Sequence, residues 1–218
     1  MLNNVRLDRM RRYVRDHVSY DRYTHSLSVM MAMERAAGLY GLDLLKAAHV
    51  GILHDLAKEM PDEQLMAILA EHDPQELKAL EEIGCLHNCY LHGPAAVPLA
   101  RSEFGIDDQE VLLAIRQHVG NYDDMGLLAR CLHVADMTAP TISFPGARKL
   151  HLLFTQGRLD EAELLLDAWI LENNSGRGIP VHPSYHTRIQ VLTEIVGPGP
   201  DFFSREDPPT PSSHAPEI

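Results

Sequence analysis

Four histidines and two aspartates carry the chemistry this sequence can do: His25, the adjacent pair His54-Asp55, His92, His118 and Asp136. Imidazole and carboxylate are the ligand types that intermediate divalent metals prefer. An adjacent His and Asp on one helix share a site only at its edge, so the pair can serve neighbouring ions. Spread over successive helices, the six residues point to a buried metal site between helices. Such a site suits hydrolysis, above all of a phosphate ester or anhydride.

Each residue interrupts an apolar stripe. His25 shares a helix face with Val29, Ala32 and Ala36, and His54 with Ala47 and Val50. His118 shares one with Val111, Ala114 and Ile115, while Asp136 follows Leu132 by one turn. An ionised carboxylate buried without a partner is expensive, and a cation is its natural compensation. His92 is read as sitting just before a helix that opens at Gly93-Pro94, with His87 as its competitor. Taken singly, each histidine could be an ordinary packed residue. Six ligand-type residues on inward faces are harder to explain that way. His49 and His133 lie near the site helices, as packing residues or as partners that orient ligands. His17, His72, His151 and His214 read as surface or tail residues. Lys58 follows His54 by four and Asp55 by three, which places it on the same helix face. There it only repels a metal unless an anion such as phosphate lies between them; the alternative is a snorkelling surface lysine.

The elements that must position these residues are helical almost throughout. Candidate helices cover 4–17, 24–40, 43–58, 61–71, 94–104, 107–119, 125–138, 147–155, 159–173 and 183–196. Gly41 stops the second and Asp43 caps the third, while Pro61 suits the first turn of the fourth. Pro98 removes a main-chain donor near the start of its helix. Asn173 to Gly178 reads as an exposed loop. No run alternates long enough to make a sheet, so the expectation is all-α. Residues 1–196 form one domain, and 197–218 a Pro/Ser-rich disordered tail.

Composition narrows the partners. A formal charge of −12 over 218 residues argues against nucleic-acid binding. The three cysteines, Cys85, Cys89 and Cys131, make no C-x-x-C pair, so neither a disulfide scaffold nor a zinc site is expected. Arginines 6, 9, 11, 12 and 15 read as a solvated helix face rather than a membrane anchor. No apolar run approaches the ~20 residues needed to span a bilayer. The expectation is a soluble, cytoplasmic protein.

The order His25, His54-Asp55, Asp136 resembles the HD-domain metal phosphohydrolases. Leu91-His92-Gly93-Pro94 and Ala114-Ile115-Arg116-Gln117-His118 are similar to the YqeK group within them, the symmetrical bis(5'-nucleosyl)-tetraphosphatases. So are Lys58-Glu59, Met125 before Ala135-Asp136, and Phe144-Pro145-Gly146 followed by Arg148. The resemblance runs from Arg22-Tyr23-Thr24-His25 to the helix near Trp169. It implies an HD-type helical bundle that binds two metal ions and cleaves diadenosine tetraphosphate to two ADP. By that resemblance His25, His54, Asp55 and Asp136 hold one ion, and His92 and His118 the second, with Asp55 bridging. Iron is the implied metal, with manganese, cobalt or zinc acceptable to the same donors. An activated hydroxide attacks phosphorus, with Asp55 and Lys58 as the catalytic residues. Lys58, Arg22 and Arg148 are the substrate-binding candidates; Arg22 can equally brace the site or make a surface ion pair. A homodimer is compatible with this reading.

Two segments depart from the family pattern. Val119-Gly120-Asn121 replaces Thr-Thr-Gly, and Ala139-Pro140-Thr141-Ile142 replaces Glu-Pro-Gly-Arg. An arginine at position 142 would suit a polyphosphate, and Arg148 and Arg116 are the candidates to replace it. The departure motivates two alternatives: an HD-type nucleotidase or phosphoesterase on another phosphate ester, and a metal-bound nucleotide sensor without turnover.

Overall fold

The structure, a computed structural model, describes residues 2–120 and 122–197. Of the tail expected over 197–218, all but Gly197 lies outside them. The described residues form eleven helices and no strand: α1 (Leu2–His17), α2 (Tyr20–Tyr40), α3 (Leu44–Leu53), α4 (Asp62–His72), α5 (Pro74–Glu82), α6 (Asn88–Phe104), α7 (Gln109–Gln117), α8 (Leu127–Asp136), α9 (Ala147–Thr155), α10 (Leu159–Arg177) and α11 (Ser184–Val196). The fold is all-α, as expected, and no helix among the described residues is long and apolar enough to cross a membrane.

Two glycines set the helix crossings on which the site depends. A Cβ on Gly51 in α3 would lie 2.5 Å from the Met30 Cα of α2. One on Gly93 in α6 would lie 2.9 Å from the Arg116 carbonyl oxygen of α7. Both spacings are impossible for a real side chain, so only glycine allows these helices to approach so closely. Gly51 precedes His54 by one turn, and Gly93 directly follows His92. Each close crossing therefore delivers a pair of histidines to a common point.

Four expectations about the elements are corrected. The third helix ends at Leu53 rather than residue 58; His54 is its C-cap, and residues 54–59 are turns. Lys58 thus reaches its place from a turn, not from a shared helix face. The helix expected at 94–104 begins six residues earlier at Asn88 and includes both Pro94 and Pro98, so His92 sits within it. A helix not anticipated, α5, occupies 74–82. Asp73 caps it by accepting from the Glu76 N–H at 3.1 Å, with Pro74 in its first turn. The loop expected at 173–178 is helix to Arg177, closed by Gly178 with φ +69°. The basic stretch of α1 also finds partners. Arg6 donates to the Phe104 and Gly105 carbonyls and Arg9 to that of Glu103, which satisfies the C-terminal end of α6.

Candidate metal centre

The turn after α3 carries Asp55 and is held from two sides. At its α2 side the Glu59 carboxylate accepts from the Ser19 backbone N–H (2.7 Å) and hydroxyl (2.5 Å), and Ser19 is the N-cap of α2. At its α6 side the Asn88 amide donates to the Lys58 and Met60 carbonyls at 3.0 and 3.1 Å. Asp55 is 3 % exposed and therefore fixed between the helices that bear the histidines.

All six residues expected as ligands meet there. His25 Nε2 lies 2.8 Å from Asp136 Oδ1 and 3.4 Å from His54 Nε2, which is itself 3.5 Å from Asp136 Oδ1. On the opposite side, His92 Nε2 lies 3.1 Å from His118 Nε2. Asp55 stands between the two groups with one oxygen turned to each. Its Oδ2 is 3.6 and 3.4 Å from His25 and His54, and its Oδ1 is 3.1 and 3.9 Å from His92 and His118. The donor atoms of His25, His54 and Asp136, and of His54, Asp55 and His118, are close enough to hold one ion each.

The opposite edges of the rings show that a cation fits here. Nδ1 of His54 faces the Gly51 carbonyl at 2.9 Å, that of His92 faces Asn88 at 2.7 Å, and that of His118 faces Ile115 at 2.7 Å. A carbonyl can only accept, so each Nδ1 bears a proton and donates it, which leaves Nε2 to offer its lone pair to the centre. His25 Nδ1 lies 3.1 Å from the Thr141 hydroxyl, within one of the segments that depart from the family pattern. The charges agree with this arrangement. Burial lowers the pKa of His92, helped by the charge of Lys58, and burial with His92 and His54 takes that of His118 well below the usual range. Both are neutral, so their Nε2 lone pairs oppose one another at 3.1 Å with no proton to share. A positive ion between them removes that repulsion. Burial disfavours charge on His54, but Asp55 and Asp136 outweigh it and raise its pKa to about 10. Burial likewise opposes ionisation of Asp55 and Asp136, yet the surrounding histidines hold both carboxyls well below the usual range. The metal-free cluster thus keeps a proton on His54 that a metal ion would displace.

The remaining candidates divide. Arg22 Nη1 donates to Asp55 Oδ2 at 2.5 Å, and so braces the central carboxylate. Lys58 is half-buried and lines a cleft beside the cluster. His133 is buried between the cluster and α10: its Nδ1 donates to the His118 carbonyl at 2.9 Å, and its Nε2 lies 3.0 Å from Asp167. Arg148 is exposed at the start of α9, and the cleft is lined without it. Arg116 is paired with the buried carboxylate of Glu76, which also accepts from the Tyr122 hydroxyl at 2.6 Å. His87 is the exposed N-cap of α6 and takes no part, and His49 is buried elsewhere in α3 with its Nε2 unpartnered.

The cleft encloses about 630 Å³, including its open mouth. His92, His118 and Asp136 line it together with Tyr90, Trp169, Asn173, Asn174 and Tyr185. None of these last five was singled out from the sequence. The only available signal was two adjacent asparagines one turn after a tryptophan, which composition alone marks as a loop.

Comparison with known proteins points the same way. Residues 22–141 match the HD domain. The chain is 33% identical over 147 residues to a protein of Halalkalibacterium halodurans named symmetrical bis(5'-nucleosyl)-tetraphosphatase, covering 67% of this chain and 74% of that one. It is 34% identical to a Bacillus subtilis protein of the same name, covering 64% and 73%. Among solved structures it is similar to a predicted HD superfamily hydrolase of Clostridium acetobutylicum, described as involved in NAD metabolism. That match has a TM-score of 0.76 and 28% identity, over 86% of this chain and 97% of that one.

Proposed function

The chain belongs to the HD domain family and is a hydrolase of it, and from that premise we propose that it cleaves dinucleoside tetraphosphates symmetrically, converting diadenosine tetraphosphate into two ADP. The observation that carries this reading is the Asp55 carboxylate, set with one oxygen towards each of two imidazole groups. The donors suit two ions, His25, His54, Asp136 and Asp55 holding one and His92, His118 and Asp55 the other. Iron is the proposed metal, and manganese, cobalt or zinc would satisfy the same nitrogen and oxygen donors. When bound, such ions lower the pKa of water towards neutrality and neutralise charge on phosphoryl oxygens.

The chain's own groups then do the rest. Asp55, braced by Arg22, keeps the two halves of the centre in register. Lys58 places a cation in the cleft, where charge grows on the phosphoryl group. His133 fixes the backbone of His118 and hence the direction of its imidazole. A departing nucleoside diphosphate is already a good leaving group, so the site needs no strong general acid.

A second reading keeps the chemistry and shortens the substrate. Ile142 stands where the family pattern has arginine, Arg116 is neutralised by Glu76, and Arg148 does not line the cleft. Few cations are left for a long polyphosphate, which favours a phosphomonoester or phosphodiester. Anion-exchange analysis of the products from diadenosine tetraphosphate separates the two. ADP as the sole product supports symmetrical cleavage. AMP with ATP overturns it, and an intact dinucleotide beside a cleaved nucleoside monophosphate favours the shorter substrate.

A further inference from the structure

The cleft beside the candidate metal centre is lined by Tyr90, Asn173 and Asn174, and the hydrogen bonds among its lining leave one amide able to read a base. The Tyr90 hydroxyl lies 2.8 Å from the Pro180 carbonyl. A carbonyl only accepts, so the hydroxyl proton is committed to it. The tyrosine oxygen can then only accept, and it does so from the His182 backbone N–H at 3.3 Å. Asn174 lines the same cleft as Tyr90, beside Asn173 on α10. Its Oδ1 receives the Asn173 amide at 3.3 Å. One N–H of Asn173 is thereby used. Its other N–H and its Oδ1 have no partner among the described residues, and they form an adjacent donor and acceptor on a residue that lines the cleft.

One turn earlier on α10 stands Trp169, half-buried and also lining the cleft. The Phe144 ring covers it at 4.4 Å between centroids, inclined by 37°. An indole supported by a neighbouring ring is a stacking platform for a planar heterocycle.

We infer that Trp169 and Asn173 form a nucleobase subsite that prefers adenine to guanine. An amide presenting one donor and one acceptor matches the N7 acceptor and N6 amino donor of adenine. The same edge of guanine offers two acceptors, N7 and O6, and leaves the Asn173 oxygen facing another oxygen. Direction is the essential point. Were Asn173 free to turn, the contact would still fit adenine, but the Asn174 oxygen already takes one N–H of Asn173 and so holds the amide in one sense before the base arrives. This assignment rests on the cleft serving a nucleotide, as proposed above, yet it can be tested without turnover.

Trp169 is the only tryptophan in the chain, so its fluorescence reports directly on a base stacked against it. The experiment titrates metal-loaded protein with ADP and with GDP, and follows emission and heat of binding. ADP should quench Trp169 and bind about tenfold more tightly than GDP, the size expected of one good two-point base contact. Asn173→Ala should bring the two affinities within about twofold while the quench persists. Asn173→Asp, which keeps the size but offers only acceptors, should lose the preference too, and circular dichroism checks that both variants fold. Equal affinities in the wild type, ADP binding without a change in emission, or an unchanged preference in both variants would each overturn the subsite. Failure of the proposed hydrolysis would look different: ADP selective and quenching, but diadenosine tetraphosphate left intact by metal-loaded enzyme.

Discussion

Among the clusters of buried charge in the described residues, two are built on opposite plans. Between α8, α10 and α11, Glu163 is fully buried but closed on all sides. Its Oε2 accepts from Arg130 Nε at 2.7 Å and from Arg188 Nη2 at 3.0 Å, and its Oε1 from Arg188 Nε at 2.8 Å, while Arg130 also reaches Asp160 at 2.5 Å. Every strong acceptor there meets a donor. In the candidate metal centre the matching is incomplete: Arg22 donates to Asp55 Oδ2, but the Nε2 lone pairs of His92 and His118 oppose each other with Asp55 Oδ1 turned towards them. A closed network needs nothing further. An open one of this kind has donor atoms to offer a cation. Burial and charge content alone would not distinguish the two; the direction of each lone pair does. His133 joins them, with one nitrogen on the His118 carbonyl and the other beside Asp167.

The comparison is tested hardest at Asp55. Asp55→Ala should abolish hydrolysis and release metal, from about two ions per chain to one or none, while helical circular dichroism is retained. Metal at about 1,000 times its dissociation constant should stabilise the wild type by about 4 kcal/mol for each ion bound, and the variant should lose this increment for every ion it releases. Retained metal and full turnover would remove Asp55 from the centre. Lys58→Ala should act more narrowly. With metal content unchanged, kcat should fall by about 10²-fold, the usual effect of deleting one group that stabilises transition-state charge. Unchanged kinetics would return Lys58 to the role of a snorkelling side chain.

Some of this was legible in the sequence, and the boundary has physical causes. His25, His54, His118 and Asp136 interrupt apolar stripes of helical period, and a buried polar group on such a stripe is conspicuous. His92 could be chosen, but its setting was misjudged, because Gly93-Pro94 resembles a helix start whereas α6 carries its prolines inside. Asp73-Pro74-Gln75-Glu76 did contain a helix start, with Asp73 as the cap and Pro74 in the first turn, but at nine residues α5 is too short for its period to announce it. The helical spacing of Lys58 from His54 does not survive in the fold, since the turn after Leu53 depends on Glu59 and Asn88 reaching elements far away in sequence. Asn173 and Asn174 read as loop because their propensity favours one; packing of α10 against α11 overrides it. The role of Gly51 and Gly93 was not visible at all, since a close crossing belongs to two helices and appears in neither alone.

The closed cluster yields the smaller and more discriminating effect. Glu163→Gln leaves two buried guanidinium groups short of charge, and should cost about 3 kcal/mol, equivalent to about 6–12 °C in Tm. Metal content and activity at 25 °C should persist, which Asp55→Ala cannot match. The pH dependence gives the sign. Burial alone would raise the pKa of Glu163, but Arg188 and Arg130 outweigh it and hold the carboxyl below its ordinary value. A depressed folded pKa means that this stabilisation is present above the unfolded pKa and is lost as pH falls through the folded one. Asp167 works the other way: burial holds its pKa above the usual value, so its contribution is present at low pH and lost on the way up. The wild type alone would therefore mix two opposed slopes with that of the metal centre. Subtracting Glu163→Gln from the wild type at each pH cancels what the two proteins share. The difference in unfolding free energy should be largest at neutral pH and shrink as pH falls below about 4.5, the ordinary glutamate range. A difference that stays constant into acid would mean that Glu163 contributes by shape rather than by charge, and the contrast between a closed and an open cluster would then rest on the metal centre alone.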